Sequence, residues 1–303
     1  MEIAAEILTR FWQITEKKDK ARLSKQRPAD GIDGRFDIPY INDGETEHLL
    51  DVYFPENTKE NLPAIIDIHG GGWMYGNKEL NKNYCYYLAS RGFTIVNINY
   101  TLAPKATVDV QIRDVFAALK WVDENADEYF IDKNNFFLTG DSAGGHLAAL
   151  TTVIMSDRPD LELLYNVECP SFRFKAIGLT CGAFNLDIIL NNRIFVAKKY
   201  AEFLLGSDFE NSPYKNSVSM RDVLCGTKIP PVYLASSAED FIKRQSDAFD
   251  ALLTKYNLPH FYRRMGRVKG KHLSHVFNIL YPDWEESIFV NNEMTDFFKS
   301  YID

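Results

Sequence analysis

One stretch restricts the fold of this chain more than any other: Phe136-Phe-Leu-Thr-Gly140-Asp-Ser142-Ala-Gly144-Gly-His-Leu-Ala-Ala-Leu. An apolar run of strand type leads straight into Gly-x-Ser-x-Gly and then into a helix-forming run. To pass from strand to helix in so few residues, the backbone must turn sharply and leave the serine strained. Side chains at Gly140 or Gly144 would collide with neighbouring backbone at such a turn. The turn points the Ser142 hydroxyl out of the end of a strand and aims the first amides of the helix at the same place. Ser142 is therefore the candidate nucleophile. Asp141 and His146 lie beside it. His146 sits on the helix, facing away from where a base must stand, and a structural role is expected for it.

A strand that ends this way needs a sheet around it. Residues 49–54, 64–69, 94–100, 136–139, 176–181, 232–236 and 260–265 read as strands, several of them continuous apolar runs. Helical patterns fall between them, at 81–91, 109–125, 143–156, 243–257 and 285–301. Strands alternating with helices imply an α/β fold with a mostly parallel central sheet flanked by helices. Residues 2–20 read as an amphipathic helix whose apolar face carries Ile3, Ile7, Phe11 and Ile14. The connection from Cys181 to Val232 runs to about 50 residues, far beyond an ordinary crossover, with helix-like segments at 192–205 and 217–224. The expectation is one α/β domain spanning 1–303, with cap elements over 1–35 and 182–230.

Composition narrows the function classes. The 303 residues are 46% hydrophobic, enough for a large core. Asp and Glu outnumber Lys and Arg by 42 to 34, and no basic tract occurs, which argues against a nucleic-acid surface. The N-terminal Met-Glu-Ile-Ala-Ala-Glu has no basic region or long apolar core of signal-peptide type, and no stretch approaches a membrane span. A cytoplasmic protein without membrane association is expected. The four cysteines (Cys85, Cys169, Cys181, Cys225) show neither a C-x-x-C pair nor metal-ligand spacing. They read as free thiols in a reducing compartment, and no metal is expected. A homodimer is left open, since nothing identifies an interface.

A second constellation lies upstream. Ile65-Ile-Asp-Ile-His69-Gly70-Gly71-Gly72-Trp73 is a strand that runs directly into three glycines. Consecutive glycines expose backbone N–H groups to a ligand that approaches closely. Ester hydrolysis places negative charge on the carbonyl oxygen, and each preorganised amide there is worth roughly 10²–10³ in rate. The amides of Gly71, Gly72 and Ala143 are the candidate oxyanion hole.

His-Gly-Gly-Gly-Trp at 69–73, Tyr100-Thr-Leu-Ala-Pro104 and Gly-Asp-Ser-Ala-Gly-Gly at 140–145 together resemble the hormone-sensitive-lipase family of bacterial carboxylesterases, over roughly residues 40–300. The resemblance implies an α/β-hydrolase fold that cleaves esters of short to medium acyl chains without a cofactor. The chain departs from the family at Thr101, where Arg is usual, and at Lys105, where Glu is usual. Those departures bear on substrate preference more than on chemistry.

In this fold the triad order is Ser, acid, His. Val232-Tyr-Leu-Ala-Ser-Ser-Ala-Glu239-Asp240 ends a strand with two carboxylates. Asp240 is similar in position to the family's acid, although Phe241 follows it where the family has Pro. Glu239 and Asp247 are the alternatives, Asp247 falling within a helical pattern. His272 and His275 both lie between the last strand and the C-terminal helix, whereas His260 opens that strand. His275-Val-Phe277 resembles the family's His-x-Phe. Trp73, Met74 and Tyr75, together with Phe184, Phe195, Tyr200 and Phe203 of the insertion, are candidates to shape the pocket. Of these, Trp73, Tyr75 and Phe184 are the selected substrate-binding residues. The expected activity is hydrolysis of a small-molecule acyl or aryl ester through an acyl-enzyme. The alternatives are an acetyl or feruloyl esterase acting on decorated carbohydrate, an amide or formamide hydrolase, and a catalytically dead hydrolase-fold binding protein.

Overall fold

A computed structural model describes residues 2–192 and 194–302 of the protein. The strands are β1 (Ile32–Pro39), β2 (Leu49–Pro55), β3 (Leu62–Ile68), β4 (Thr94–Ile98), β5 (Ile131–Asp141), β6 (Phe174–Thr180), β7 (Val232–Ser237) and β8 (His260–Met265). The helices are α1 (Glu2–Leu23), α2 (Lys82–Ser90), α3 (Val108–Asn125), α4 (Ser142–Ile154), α5 (Pro159–Tyr165), α6 (Asp187–Leu190), α7 (Phe195–Leu205), α8 (Met220–Val223), α9 (Lys243–Lys255), α10 (Phe277–Leu280) and α11 (Glu285–Lys299).

The strands form one sheet in the order β1-β2-β4-β3-β5-β6-β7-β8. β1 and β2 pair antiparallel at one edge and β2 pairs antiparallel with β4; from β4 onward every pairing is parallel. This is the α/β-hydrolase fold. Alternate side chains of the central strands feed two cores, because successive Cβ atoms point to opposite faces of a sheet. Ile66, Ile68, Phe136 and Leu138 pack on one face with Val115 and Leu119 of α3 and Leu147 of α4. Ile65, Phe137 and Ala235 pack on the other with Leu88 of α2 and Phe298 of α11. Burial on both faces is why these strands read as unbroken apolar runs.

All seven expected strands are present, and β5 begins at Ile131 rather than Phe136. The additional strand β1 escaped the sequence reading because it lies at the edge and most of its residues are partly or fully exposed, which leaves little apolar signal. The parallel strands deliver their C-terminal ends to one rim, where an open α/β sheet binds ligands. Gly70 follows β3, Ser142 follows β5, Cys181 follows β6 and Asp240 lies just beyond β7.

Helix α1 forms as expected, and its aliphatic stripe faces away from the body. Ile3, Ile7, Phe11 and Ile14 are exposed, by 48–68%. The side facing the body carries Ala4 and Leu8, which are buried, then Trp12, Asp19 and Arg22. The anchors explain this orientation. Arg22 Nη1 and Gln26 Nε2 both donate to the Leu280 carbonyl, at 3.0 and 2.5 Å, and the Tyr75 hydroxyl donates to Asp19 Oδ2 at 3.1 Å. Trp12 stacks on Tyr75 at 5.4 Å. Hydrogen bonds and an aromatic pair, rather than the aliphatic stripe, dock this helix.

Candidate active site

The turn between β5 and α4 has the geometry that its sequence demands. Ser142 has φ +51°, in the left-handed region that side chains seldom occupy. A Cβ on Gly144 would stand 2.0 Å from the Ile68 carbonyl oxygen, and one on Gly140 would stand 2.5 Å from that of Gly144. Glycine at both positions lets β3, β5 and α4 close on one another.

The glycine loop after β3 is fitted from above and below. Gly71 has φ +117° and a Cβ there would meet the Tyr75 carbonyl oxygen at 1.8 Å. A Cβ on Gly72 would meet the Tyr200 hydroxyl and the Trp12 ring at 2.4 and 2.5 Å. The Tyr200 hydroxyl donates to the Gly72 carbonyl, fixing the plane of that peptide. Neither the Gly71 nor the Gly72 amide has a backbone acceptor among the described residues. Ala143 contributes one of the first N–H groups of α4, which have no partner inside their own helix.

Beneath the loop lies a buried acidic cluster. Asp141 Oδ1 accepts the Gly70 amide at 3.0 Å and Asn81 Nδ2 at 2.9 Å, and the same Asn81 nitrogen donates to Asp67 Oδ2 at 2.8 Å. Burial, then the charge of Asp141, pushes the Asp67 carboxyl up to about 8. Burial also raises Asp141, opposed chiefly by the Asn81 hydrogen bond. These groups tie the turn at Ser142 to the glycine loop.

On the far side, His275 Nε2 lies 2.9 Å from Ser142 Oγ, and His275 Nδ1 lies 2.8 Å from Asp240 Oδ1. An ionised carboxylate only accepts, so the ring proton sits on Nδ1 and Nε2 is left to accept from the serine hydroxyl. The Asp240 side chain is fully enclosed. The two loops are sewn together next to it: Glu239 Oε2 accepts the Leu273 amide at 2.8 Å, and Ser237 Oγ donates to the Leu273 carbonyl.

The alternatives fall elsewhere. His272 is 70% exposed and pairs with Glu239 at 3.1 Å. Asp247 accepts from Tyr262 and pairs with Arg264. His146 is buried, with Nε2 2.6 Å from the Val218 carbonyl oxygen and Nδ1 accepting the Trp73 indole N–H at 3.2 Å. Its burial holds the imidazole down near 4, so it is a neutral packing group, as its position on α4 leads one to expect.

Ser142 and His275 open into a cavity of about 720 Å³, whose lining is mostly apolar and aromatic. Tyr75 lines it. Trp73 touches it but is 3% exposed, its indole turned inward to His146. Phe184 does not line it and must be corrected: it is fully buried and stacks on Phe249 at 4.1 Å. The chain turns after β6 so that Ala183 faces the cavity and Phe184 faces the core. Met74 and Phe203 pack against the core, Phe195 is exposed, and Tyr200 is at the cavity. Sequence reasoning missed Trp12, Asp19 and Arg22 from α1, Phe241 from the loop after β7 and Arg244 from the start of α9, all of which line it. The spacing of Trp12 with Ala4 and Leu8 on one helix face was the available signal.

The four cysteines are free thiols, with Cys85 and Cys181 buried. Among the described residues no helix is long and apolar enough to cross a membrane.

Comparison with known proteins places the chain among esterases of this fold. The sequence profile of the BD-FAE family matches residues 50–253. Carboxylesterase NlhH of Mycobacterium tuberculosis is 25% identical over 225 residues, 74% of this chain and 67% of that protein. Kynurenine formamidase of Danio rerio is 26% identical over 218 residues, 72% of this chain and 68% of that protein. The crystal structure of esterase B from Lactobacillus rhamnosis superposes with a TM-score of 0.93 at 30% identity, covering 99% of this chain and 95% of that one. A form of the same esterase inhibited by a C4-C4 tributyrin phosphonate superposes equally well, at 31% identity. The chain belongs to the BD-FAE family, and it is a carboxylic ester hydrolase of the α/β-hydrolase fold, similar to the esterases of the hormone-sensitive-lipase type.

Proposed function

We propose that this esterase is a serine carboxylesterase that works through an acyl-enzyme and takes esters of short to medium acyl or aryl groups. The observation that carries the reading is the continuous contact from Ser142 Oγ through His275 to Asp240, at 2.9 and 2.8 Å, on the wall of an apolar cavity. Ser142 Oγ bonds to the ester carbonyl carbon as its proton passes to His275 Nε2. The carbonyl oxygen, now an anion, takes hydrogen bonds from the amides of Gly71, Gly72 and Ala143. Collapse breaks the bond to the alcohol, which leaves with the proton from His275. Water then attacks the acyl-enzyme by the same route and frees the acid. Asp240 holds the imidazole in the required tautomer and offsets the charge of the imidazolium.

Cavity size and lining support a modest acyl group. About 720 Å³ must hold both halves of the ester, and the walls offer aromatic and aliphatic surface with few free polar groups. Helix α1 and the 182–230 segment act as the cover that supplies much of that surface. The phosphonate that inhibits esterase B carries C4 chains, which agrees with acyl groups of this length. A series of p-nitrophenyl esters from acetate through butyrate and octanoate to laurate tests the reading. We expect kcat/KM to peak near butyrate to hexanoate and to fall about tenfold or more by laurate. A chain that hydrolyses none of them, or that prefers laurate, contradicts it.

A further inference from the structure

The carboxylate of Asp240 is engaged through only one of its oxygens. Oδ1 accepts His275 Nδ1–H at 2.8 Å and the Ile242 amide at 3.0 Å. Oδ2 is buried and has no hydrogen-bond partner among the described residues. A buried acceptor left without a donor is costly, and a charged one more so. This group must stay charged opposite an imidazolium during turnover.

Beside it stands Cys181, the first residue after β6. Its Sγ, a carboxylate oxygen of Asp240 and a ring nitrogen of His275 all lie within 4.8 Å of one another. The same sulfur accepts the Val276 amide at 3.5 Å, from the residue that follows His275. Cys181 and Val276 have φ +49° and +51°, in the left-handed region where residues other than glycine are uncommon. Two strained backbone positions from separate loops thus converge on one sulfur. The thiol is wholly enclosed, and burial followed by the charge of Asp240 raises its pKa well above the usual thiol range, so it keeps its proton.

We propose that Cys181 is a positioning residue for the acid–base pair: its S–H turns to Asp240 Oδ2 and supplies the missing donor, while its sulfur holds the Val276 amide and with it the histidine loop. The inference rests on the proposed roles of Asp240 and His275. A shared carboxylate pulls less strongly on the imidazolium than an unshared one. Among the described residues, Ser142 and Asp141 from the β5–α4 turn also stand near His275, Arg244 lines the same cavity, and the half-buried Glu239 pairs with the exposed His272 further out. Phe241 covers the ring, with centroids 4.6 Å apart.

The test compares wild type, Cys181→Ser and Cys181→Ala by kcat, KM and the pH profile of kcat/KM. Active sites are counted by phosphonate titration, so that misfolded protein does not enter the rates. In Cys181→Ala we expect kcat to fall about tenfold with KM within about twofold, and the acid limb to move up by about half a pH unit. Serine still donates, so Cys181→Ser should return to within about threefold of wild type with the acid limb restored. A Cys181→Ala enzyme with wild-type kcat and acid limb overturns the inference. So does an equal loss in both variants with an unmoved limb, which marks a packing role. Loss of hydrolysis in Ser142→Ala checks the underlying reading separately, so the two failures are distinguishable.

Discussion

The floor of the cavity and its cover are built on different principles. The floor at Gly71, Gly140 and Gly144 is backbone against backbone, with added Cβ atoms meeting carbonyl oxygens at 1.8–2.5 Å. The cover contributed by α1 hangs on a few side-chain contacts, namely Trp12 on Tyr75, Asp19 with Tyr75 and Arg22 with the Leu280 carbonyl. Its aliphatic stripe faces outward. A floor of this kind fixes where the reaction takes place and admits almost no variation. A cover of this kind tolerates substitution and, on the proposed function, sets what the site accepts.

Substitutions on the two sides should therefore fail in different ways. The largest effect belongs to the floor. Gly144→Ala sets a methyl group 2.0 Å from the Ile68 carbonyl oxygen and 2.5 Å from that of His69, neither of which yields without moving β3. We expect a loss of about 3 kcal/mol or more in thermal unfolding and a fall of about a hundredfold or more in kcat/KM of what remains folded. A variant with wild-type melting and turnover would break the contrast. In the cover, Trp12→Ala removes the stack on Tyr75 and opens the cavity above Gly72. The expected outcome is a KM raised about tenfold, kcat within about threefold and a stability loss of about 1–2 kcal/mol. A kcat loss exceeding the KM change would instead place Trp12 in the chemistry.

A pH-dependent effect, small within any one pH unit, sharpens the account of the floor. Asp67 binds a proton up to about pH 8 in the folded chain, whereas its ordinary carboxyl titrates near 4. Between those values folding takes up a proton, so the contribution is full below about pH 4, declines as pH rises and is gone above about 8. Asp67→Asn keeps an acceptor for Asn81 and abolishes that decline. Wild type should lose stability relative to the variant by about 1.4 kcal/mol or less per pH unit across this window, measured by denaturant unfolding. Parallel pH dependences would show that Asp67 does not carry the proton.

What could be read from the sequence follows the same division. The turn at Ser142 and the glycines at 70–72 were legible because their constraint is local: neighbouring residues in the chain force the backbone shape. The separation of His275 from His272 came from a motif likeness, and the structure sets them apart through a difference in exposure that no local pattern carries. Phe184 was misplaced because a turn after β6 decides whether residue 183 or 184 faces the cavity, and one residue of shift reverses the sides. The stripe at Ile3, Ile7, Phe11 and Ile14 gave the helix but not its orientation, since periodicity reports that a face is apolar, not what it meets. Asp67, Asn81 and Asp141 converge from three separate segments, and Cys181 meets Asp240 across neighbouring strand ends. Such contacts are made by the fold and leave no spacing in the chain.

Covalent labelling of Ser142 tests the central claim most directly. After incubation with an organophosphonate ester, the wild-type protein should carry a single adduct on the peptide containing Ser142 and lose its esterase activity in step. Ser142→Ala should take up no label and hydrolyse no ester above background. Labelling of that variant to the wild-type extent, or esterase activity that survives the substitution, would contradict the account.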